Sequence, residues 1–504
     1  MKYYLLFILL IVFGCVSRKD EPAIRELENY LEKVESDYSY CVIIPGAGCE
    51  GCISNSEYFA KEYSGHSDVL FIFTRIETLK LLKHKLGNQA SLSKNILYDK
   101  ENRFEVIEKG INNIYPVVCY IKDKRVTDWC YVSPEQKVDV IGEIKKKLDS
   151  KPANTIKLCD YLADKENKDI TLSSVVKRLE YVPLKTPKDL PVDILLSVKI
   201  SDDYIFVLDR LQRLFRFDKD GNFLNLIGKK GEGPKEYLGV VNFDIDDKKG
   251  VVYMLDIYRH EIKEYSMSGN YISSIKVPNE IVDVTFKSDS CFIGYQPWYM
   301  SDDNVDRLIL FDKNSDYIKT FTLNKFEKKD DIKIDLFRMA EFYNSIGKSY
   351  IKVPFDNTTY IISENNHIHK DFCIEQGDHL LPKDIAVNTE LYNKNLDSQY
   401  LFELNARRLE NWVYMSYFYN KEHNRVIYDL NSKSFYTVSK GRDLKGITND
   451  IDNGASFWPS WVDSGVAIGS IDIESLEGNF PSEVNEKYQR FKMYDNPVLQ
   501  IAYY

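Results

Sequence analysis

The sequence predicts a multidomain chain in which an N-terminal α/β layer unit precedes an all-β array of repeated sheets. Three observations carry that expectation. A chain of 504 residues exceeds what one hydrophobic core usually organises and suits two or three domains. Apolar strand-like runs alternate with helix-period stretches up to about residue 150, and short strands separated by turns take over beyond it. The 36 Tyr and 26 Phe, against 24 Gly and 16 Pro, favour pleated, half-buried surfaces. Charged residues (29%) and hydrophobic ones (44%) stand in an ordinary globular balance. The formal net charge of −10, with no Lys/Arg-rich block, lacks the basic field that nucleic-acid binding needs.

The chain opens with Lys2 and an almost unbroken apolar run from Tyr3 to Phe13. That run is too short for a bilayer-spanning helix, which takes about 20 residues, and reads as a secretory signal. Gly14-Cys15 at its end resembles the lipobox of bacterial lipoproteins. The resemblance implies cleavage before Cys15 and acylation of that residue, the candidate lipidation site. Each buried acyl CH₂ adds about 0.8 kcal/mol to membrane anchoring. The alternative is an uncleaved anchor with a chance cysteine. Residues 1–15 are thus a signal and 16–21 a polar tether, whose Lys19-Asp20-Glu21 resembles the surface-export signals of some Gram-negative lipoproteins. The expected location is the cell envelope, lipid-anchored at the outer membrane and facing the periplasm or the surface. Disulfides form there.

Residues 22–150 carry the α/β unit. Ile24, Leu27, Tyr30, Leu31 and Val34 make a helical stripe, with Pro22 suited to its first position. Strands are expected at 40–44, 68–74 and 95–98, helices at 53–63, 77–86 and 136–149, and a hairpin from Tyr115-Pro116 through Lys122-Asp123-Lys124 to Val132. Between the first strand and its helix lies Cys49-Glu50-Gly51-Cys52. The order strand, CxxC, helix, strand, helix, X-Pro hairpin, helix resembles thioredoxin. The resemblance implies Cys49 as nucleophile, Cys52 as resolving thiol and Pro116 as a cis proline shaping a peptide groove. A helix N-terminus stabilises a thiolate, and a thiolate attacks disulfides. The chain departs from the pattern at Glu50, which opposes the thiolate, at Gly48, where thioredoxins carry Trp, and at Ile43, where many bury an acid. Two readings of the pair stay open: thiol–disulfide exchange, or a structural disulfide. Cys41 and Cys119 lie in apolar runs and read as small core residues. The remaining cysteines match no zinc spacing, so neither metal nor cofactor is expected.

Residues 151–171 read as a linker and 172–504 as the repeat array. Tyr204–Asp209, Leu214–Asp218 and the turn at Gly221 recur as Val251–Asp256, Glu261–Tyr265 and the turn at Gly269, a period of about 47 residues. Residues 307–321, 349–363 and 412–438 echo it. Period-2 alternation marks antiparallel strands, and Asp-Gly and Ser-Gly turns join them. One sheet of that size cannot bury both faces, so about six stack radially as a propeller. Residues 326–346 and 381–409 read as helix-like insertions, of the kind that decorate one propeller face and carry binding. The run Ile227-Gly-Lys-Lys-Gly-Glu-Gly-Pro-Lys-Glu-Tyr237 with Phe243-Asp-Ile-Asp246, and the segments 448–454, 457–459 and 496–501, resemble the six-bladed β-propeller family of bacterial lipoproteins, related in shape to NHL propellers. The resemblance implies closure of the ring by pairing Val176–Leu184 or the C-terminal strand into a shared blade.

Other signals read blandly. The glycines at 228–233 serve an inter-blade loop, since no Gly-Lys-Ser/Thr opens a helix there. His367 and His369 read as solvent-exposed, Asp244, Asp246 and Asp247 as turn and strand-end acids, and Trp298, Tyr299, Trp458 and Trp461 as blade core. The expected function is a membrane-anchored lipoprotein whose propeller binds a protein, peptide or glycan while the CxxC acts on disulfides. The alternative is a non-catalytic binding or scaffold lipoprotein with a structural Cys49–Cys52 bond. A propeller hydrolase or lyase has no supporting motif.

Overall fold

The computed structural model describes residues 21–504, apart from 35, 37, 88–89, 107–113, 137, 165–167, 279–280, 288–290, 302, 326–339, 346, 363–367, 439–445, 473–480 and 493–495. The signal, Cys15 and most of the tether lie outside the described residues. The chain divides into two compact units between Ala153 and Asn154.

The first unit runs α1 (Pro22–Lys33), β1 (Tyr40–Pro45), α2 (Glu50–Glu62), β2 (Val69–Thr74), α3 (Leu79–Leu86), β3 (Ile96–Tyr98), β4 (Val117–Lys122), β5 (Arg125–Tyr131) and α4 (Val140–Ser150). Its sheet has the order β3-β2-β1-β4-β5, parallel through β1, β2 and β3 and antiparallel at β4 and β5. β2 is buried along its whole length because apolar layers cover both faces. Val42 and Ile44 pack with Phe59, Phe71, Ile144 and Leu148 on one face, and Ile43 and Ile72 with Ile24, Leu27 and Trp129 on the other. Pro22 stands in the first turn of α1, where its missing N–H costs nothing. Asp139 caps α4 by accepting from the Gly142 N–H at 3.0 Å.

The second unit is a six-bladed β-propeller. Blades I to V begin with the strands Leu195–Ile200, Val240–Asp246, Asp283–Phe286, Glu341–Ser345 and Phe402–Leu409, and each continues outward through three more antiparallel strands in chain order. Blade VI is Trp461–Asp463, Val466–Ile471 and Val498–Tyr503, completed on the outside by β7 (Arg178–Pro183), which pairs antiparallel with the last of these. The two segments offered as alternatives for closing the ring, 176–184 and the C-terminal strand, thus pair with each other in one shared blade, and no blade is left without a neighbour. The expected connector over 151–171 holds β6 (Asn154–Lys157), which adds in parallel to the outer strand of blade IV, followed by α5 (Leu158–Ala163). Ile156 and Leu158 are buried there, so this stretch belongs to a blade core.

Three further expectations change. Residues 341–345, read as part of a helical insertion, form the first strand of blade IV. Within 381–409 only α6 (Lys383–Ala386) and α7 (Thr389–Lys394) are helical, and 402–409 is a strand. His369, read as exposed, is 8% exposed in the outer strand of blade IV, while His367 lies outside the described residues.

The repeated glycine has a packing role. A Cβ on Gly221 would sit 2.2 Å from the Pro183 carbonyl oxygen, and one on Gly269 2.3 Å from that of Leu226. Each turn thus presses its backbone onto the outer strand of the preceding blade, at φ +78° and +84°. Gly250, at φ +64°, has only a side-chain carbon 3.9 Å away. Gly269→Ala is expected to lower unfolding stability by roughly 2 kcal/mol or more, and Gly250→Ala by about 1 kcal/mol. Urea denaturation of the two variants checks this, and equal losses would contradict the inter-blade role.

Candidate functional site

The chain leaves β1 through Gly46-Ala47-Gly48, and Cys49 takes the N-cap of α2. Both glycines are required by close approach. A Cβ on Gly46 would meet the Arg75 carbonyl oxygen at 2.2 Å, and one on Gly48 that of Ile114 at 2.2 Å. The Cys49 N–H donates to the same Ile114 oxygen at 2.8 Å. Pro116 follows two residues later, where its carbonyl accepts from Val132 N–H at 2.7 Å and opens β4. Cys49 and Cys52 form a disulfide with Cα atoms 5.3 Å apart, and both residues are half-buried beside the exposed Glu50. No peptide bond among the described residues is cis, so the expectation for Tyr115–Pro116 is corrected to trans. Cys41 and Cys119 lie directly opposite across β1 and β4 and are fully buried. Burial pushes both thiols up, away from reactivity.

In the propeller, neighbouring blades meet through their first strands, which line the axis with buried polar groups. Lys199 of blade I pairs with Asp244 of blade II at 2.9 Å. Asp244 also accepts from the Thr285 hydroxyl at 2.7 Å and the Phe286 N–H at 2.9 Å, both of blade III. Asp283 accepts from the Asn242 amide at 2.6 Å and from Val284 N–H at 2.8 Å. Asp463 of blade VI accepts from Ile200 N–H at 2.9 Å. Asp244, read as a turn acid, is therefore a buried axial residue, 8% exposed. Burial lifts Asp283 to about 7 and Asp463 to about 6 against the pull of these partners. Burial alone would depress Lys199, yet Asp244 and Asp463 reverse it and its net direction is up.

A cavity of about 450 Å³ opens between blades IV and V, at the end that carries their connecting segments. Phe355, Leu380, Leu381, Leu401 and Tyr392 supply apolar wall, and Lys352, Asp356, Glu341 and Glu403 the charges. Lys352 ends the second strand of blade IV and is 9% exposed. Its one hydrogen bond among the described residues is a 3.4 Å contact to the Val353 carbonyl. Burial depresses its ammonium, opposed by Asp356 and Glu341. Glu341 lies directly across the strand pair but is held by Arg407 of blade V. Two lining residues sit in left-handed backbone without being glycine: Phe355 at φ +61°, in the turn after Lys352, and Glu403 at φ +52°, in a bulge of the first strand of blade V.

A family model described as "Domain of unknown function (DUF4934)" matches residues 154–503, the whole propeller including β6. The chain belongs to the DUF4934 family. No curated protein matches it. Among solved structures, the DUF4934 chain is similar to a protein from Bacteroides fragilis described as a "putative exported protein". The two share 19% identity at a TM-score of 0.54, over 69% of this chain and 98% of that one, a likeness of fold. A member of the DUF4221 family from Bacteroides vulgatus aligns at 9% identity and a TM-score of 0.36, over 52% of this chain and 84% of that one.

In the DUF4934 propeller the structure brings together residues that sequence reasoning did not connect. Lys352 stands in a plain strand end, Glu341 faces it from the preceding strand of the same hairpin, and His423 lies far from both in sequence. The one available signal was the 381–409 insertion, expected to carry binding, which contributes Leu381, Ala386, Tyr392, Leu401 and Glu403 to the wall. The axial acids yield a pH test. The folded value of Asp283 exceeds the unfolded value of about 3.9, so the folded state holds the extra proton between roughly pH 4 and 7 and loses stability as pH rises through that window. Asp283→Asn keeps an acceptor for Asn242 and Val284. It is expected to be more stable than wild type at pH 8 by about 1–3 kcal/mol and to flatten the curve between pH 4 and 7. Thermal unfolding across pH 4–8 measures it, and parallel curves would contradict it.

Proposed function

We propose that this chain is an extracytoplasmic binding protein, lipid-anchored through Cys15, whose propeller receives its ligand in the cavity between blades IV and V. The observation that carries this reading is the cavity itself: an opening of ligand size, with apolar walls, a few converging charges and strained backbone at two lining residues. The apolar run at 3–13 and Gly14-Cys15 support the anchor, and the fold likeness to a protein described as exported is in keeping with an extracytoplasmic location. A panel of peptides and oligosaccharides is screened by thermal shift against wild type and Leu381→Trp, which fills the cavity. A compound that raises the Tm of wild type by several degrees and leaves the variant unmoved supports the reading. Equal shifts in both proteins would place binding elsewhere.

A second reading, thiol–disulfide exchange by a thioredoxin-like first unit, is favoured by one observation. Cys49 sits half-buried at the N-cap of a helix, against the backbone that leads into Pro116. A thiolate there gains from the free N–H groups of the first turn. Insulin reduction is the measurement: wild type is expected to turn over at least about tenfold faster than Cys49→Ser. Equal, negligible rates would leave the bond structural.

A further inference from the structure

We infer that Lys352 is the anchor for a carboxylate, and that the cavity takes an acid with an apolar body, either a small free acid or the C-terminal end of a peptide. This rests on the cavity being the binding site. A buried ammonium has three donors and a full charge to satisfy. Lys352 is nine-tenths buried, yet it makes one long hydrogen bond, to Val353, and no ion pair among the described residues. The carboxylates around it are engaged. Glu341 is paired with Arg407. Asp356 accepts from Thr358 N–H at 2.9 Å and from the Tyr360 hydroxyl at 2.7 Å.

A neutral guest would offer acceptors but leave the charge unmatched, whereas a carboxylate supplies both. A doubly charged phosphate would add its second charge beside Asp356 and Glu403, which repel it. The walls set the rest of the ligand. Val353, Phe355, Leu380, Leu381 and Leu401 line the same cavity, so the group attached to the carboxylate is apolar. Leu380 and Leu381 come from the segment that joins the two blades, whereas Val353 and Phe355 directly follow Lys352, so apolar wall flanks the ammonium from two parts of the fold.

The full chain is titrated calorimetrically with two matched pairs of probes: 4-phenylbutyrate with 4-phenyl-1-butanol, and N-acetyl-Gly-Gly-Phe with its C-terminal amide. In at least one pair the acid is expected to bind about tenfold or more tightly than its neutral partner. Lys352→Met removes that preference and Lys352→Arg, which keeps the charge, retains it. Lys352→Met is expected to fold, with a Tm at or above wild type, because it deletes an unpaired buried charge. Equal binding within both pairs, a preference that survives in folded Lys352→Met, or no binding by any probe overturns the inference. Loss of binding in Leu381→Trp alongside unchanged acid preference in Lys352→Met keeps the cavity but removes the lysine's role. Binding untouched by Leu381→Trp refutes the cavity itself. A response to the peptide acid alone identifies chain ends as the source, and a response to phenylbutyrate alone identifies free acids.

Discussion

The propeller depends on one constraint: a twisted four-stranded sheet has two faces and can bury neither alone. Each blade therefore needs a neighbour on both sides, and the ring is the arrangement that supplies twelve covered faces from six sheets. The seam between β7 and Val498–Tyr503 satisfies that need for the last blade, with Val182 paired to Leu499 and Leu179 to Ala502. The buried clusters follow the same logic. Phe215 and Phe217 of blade I pack against Ile468 and Ile501 of blade VI, and Phe206 of blade I against Phe243 and Met254 of blade II. Aromatic rings fill the wedge-shaped gaps between sheets that splay outward, which is where the high Tyr and Phe content is used.

Where the sheets converge, the chain also places buried polar side chains. The axial set of Lys199, Asp244, Asp283 and Asp463 ties four first strands to one another by charge-assisted hydrogen bonds. Three acids around one base leave negative charge in excess, and burial relieves it by lifting Asp283 and Asp463 toward neutrality. Lys352 is the converse case: a base whose acids are committed elsewhere. The two sites show one fold storing opposite imbalances a blade or two apart.

Much of the architecture was legible in the sequence because its signals are local. Blades I and II announce themselves by alternating residues and by glycine turns that pack on the preceding blade, so their period survives in Gly221 and Gly269. The strand–CxxC–helix order of the first unit was legible for the same reason. Blade IV was not. Its first strand, Glu341–Ser345, carries Glu, Asn and Ser because it faces the axis and a charged neighbour, and that composition reads as a surface insertion. β6 failed to register because four residues with a single buried apolar side chain gain meaning only beside residues 372–375. Asp244 looked like a turn acid because a buried charge in a strand has no sequence mark of its own. The cavity was beyond reach of any local pattern, since its charged walls come from residues 341, 352, 356 and 403.

The seam also bears on the order of events during biosynthesis. Residue 183 waits for residue 498, so the most distant pairing in the propeller is the one that shuts it. Contacts so remote in the chain carry a high loop-closure cost and form late. A nascent polypeptide thus keeps an unlatched crescent of blades until residues 498–503 emerge, and no stretch of the propeller lacking them can lock into a circle.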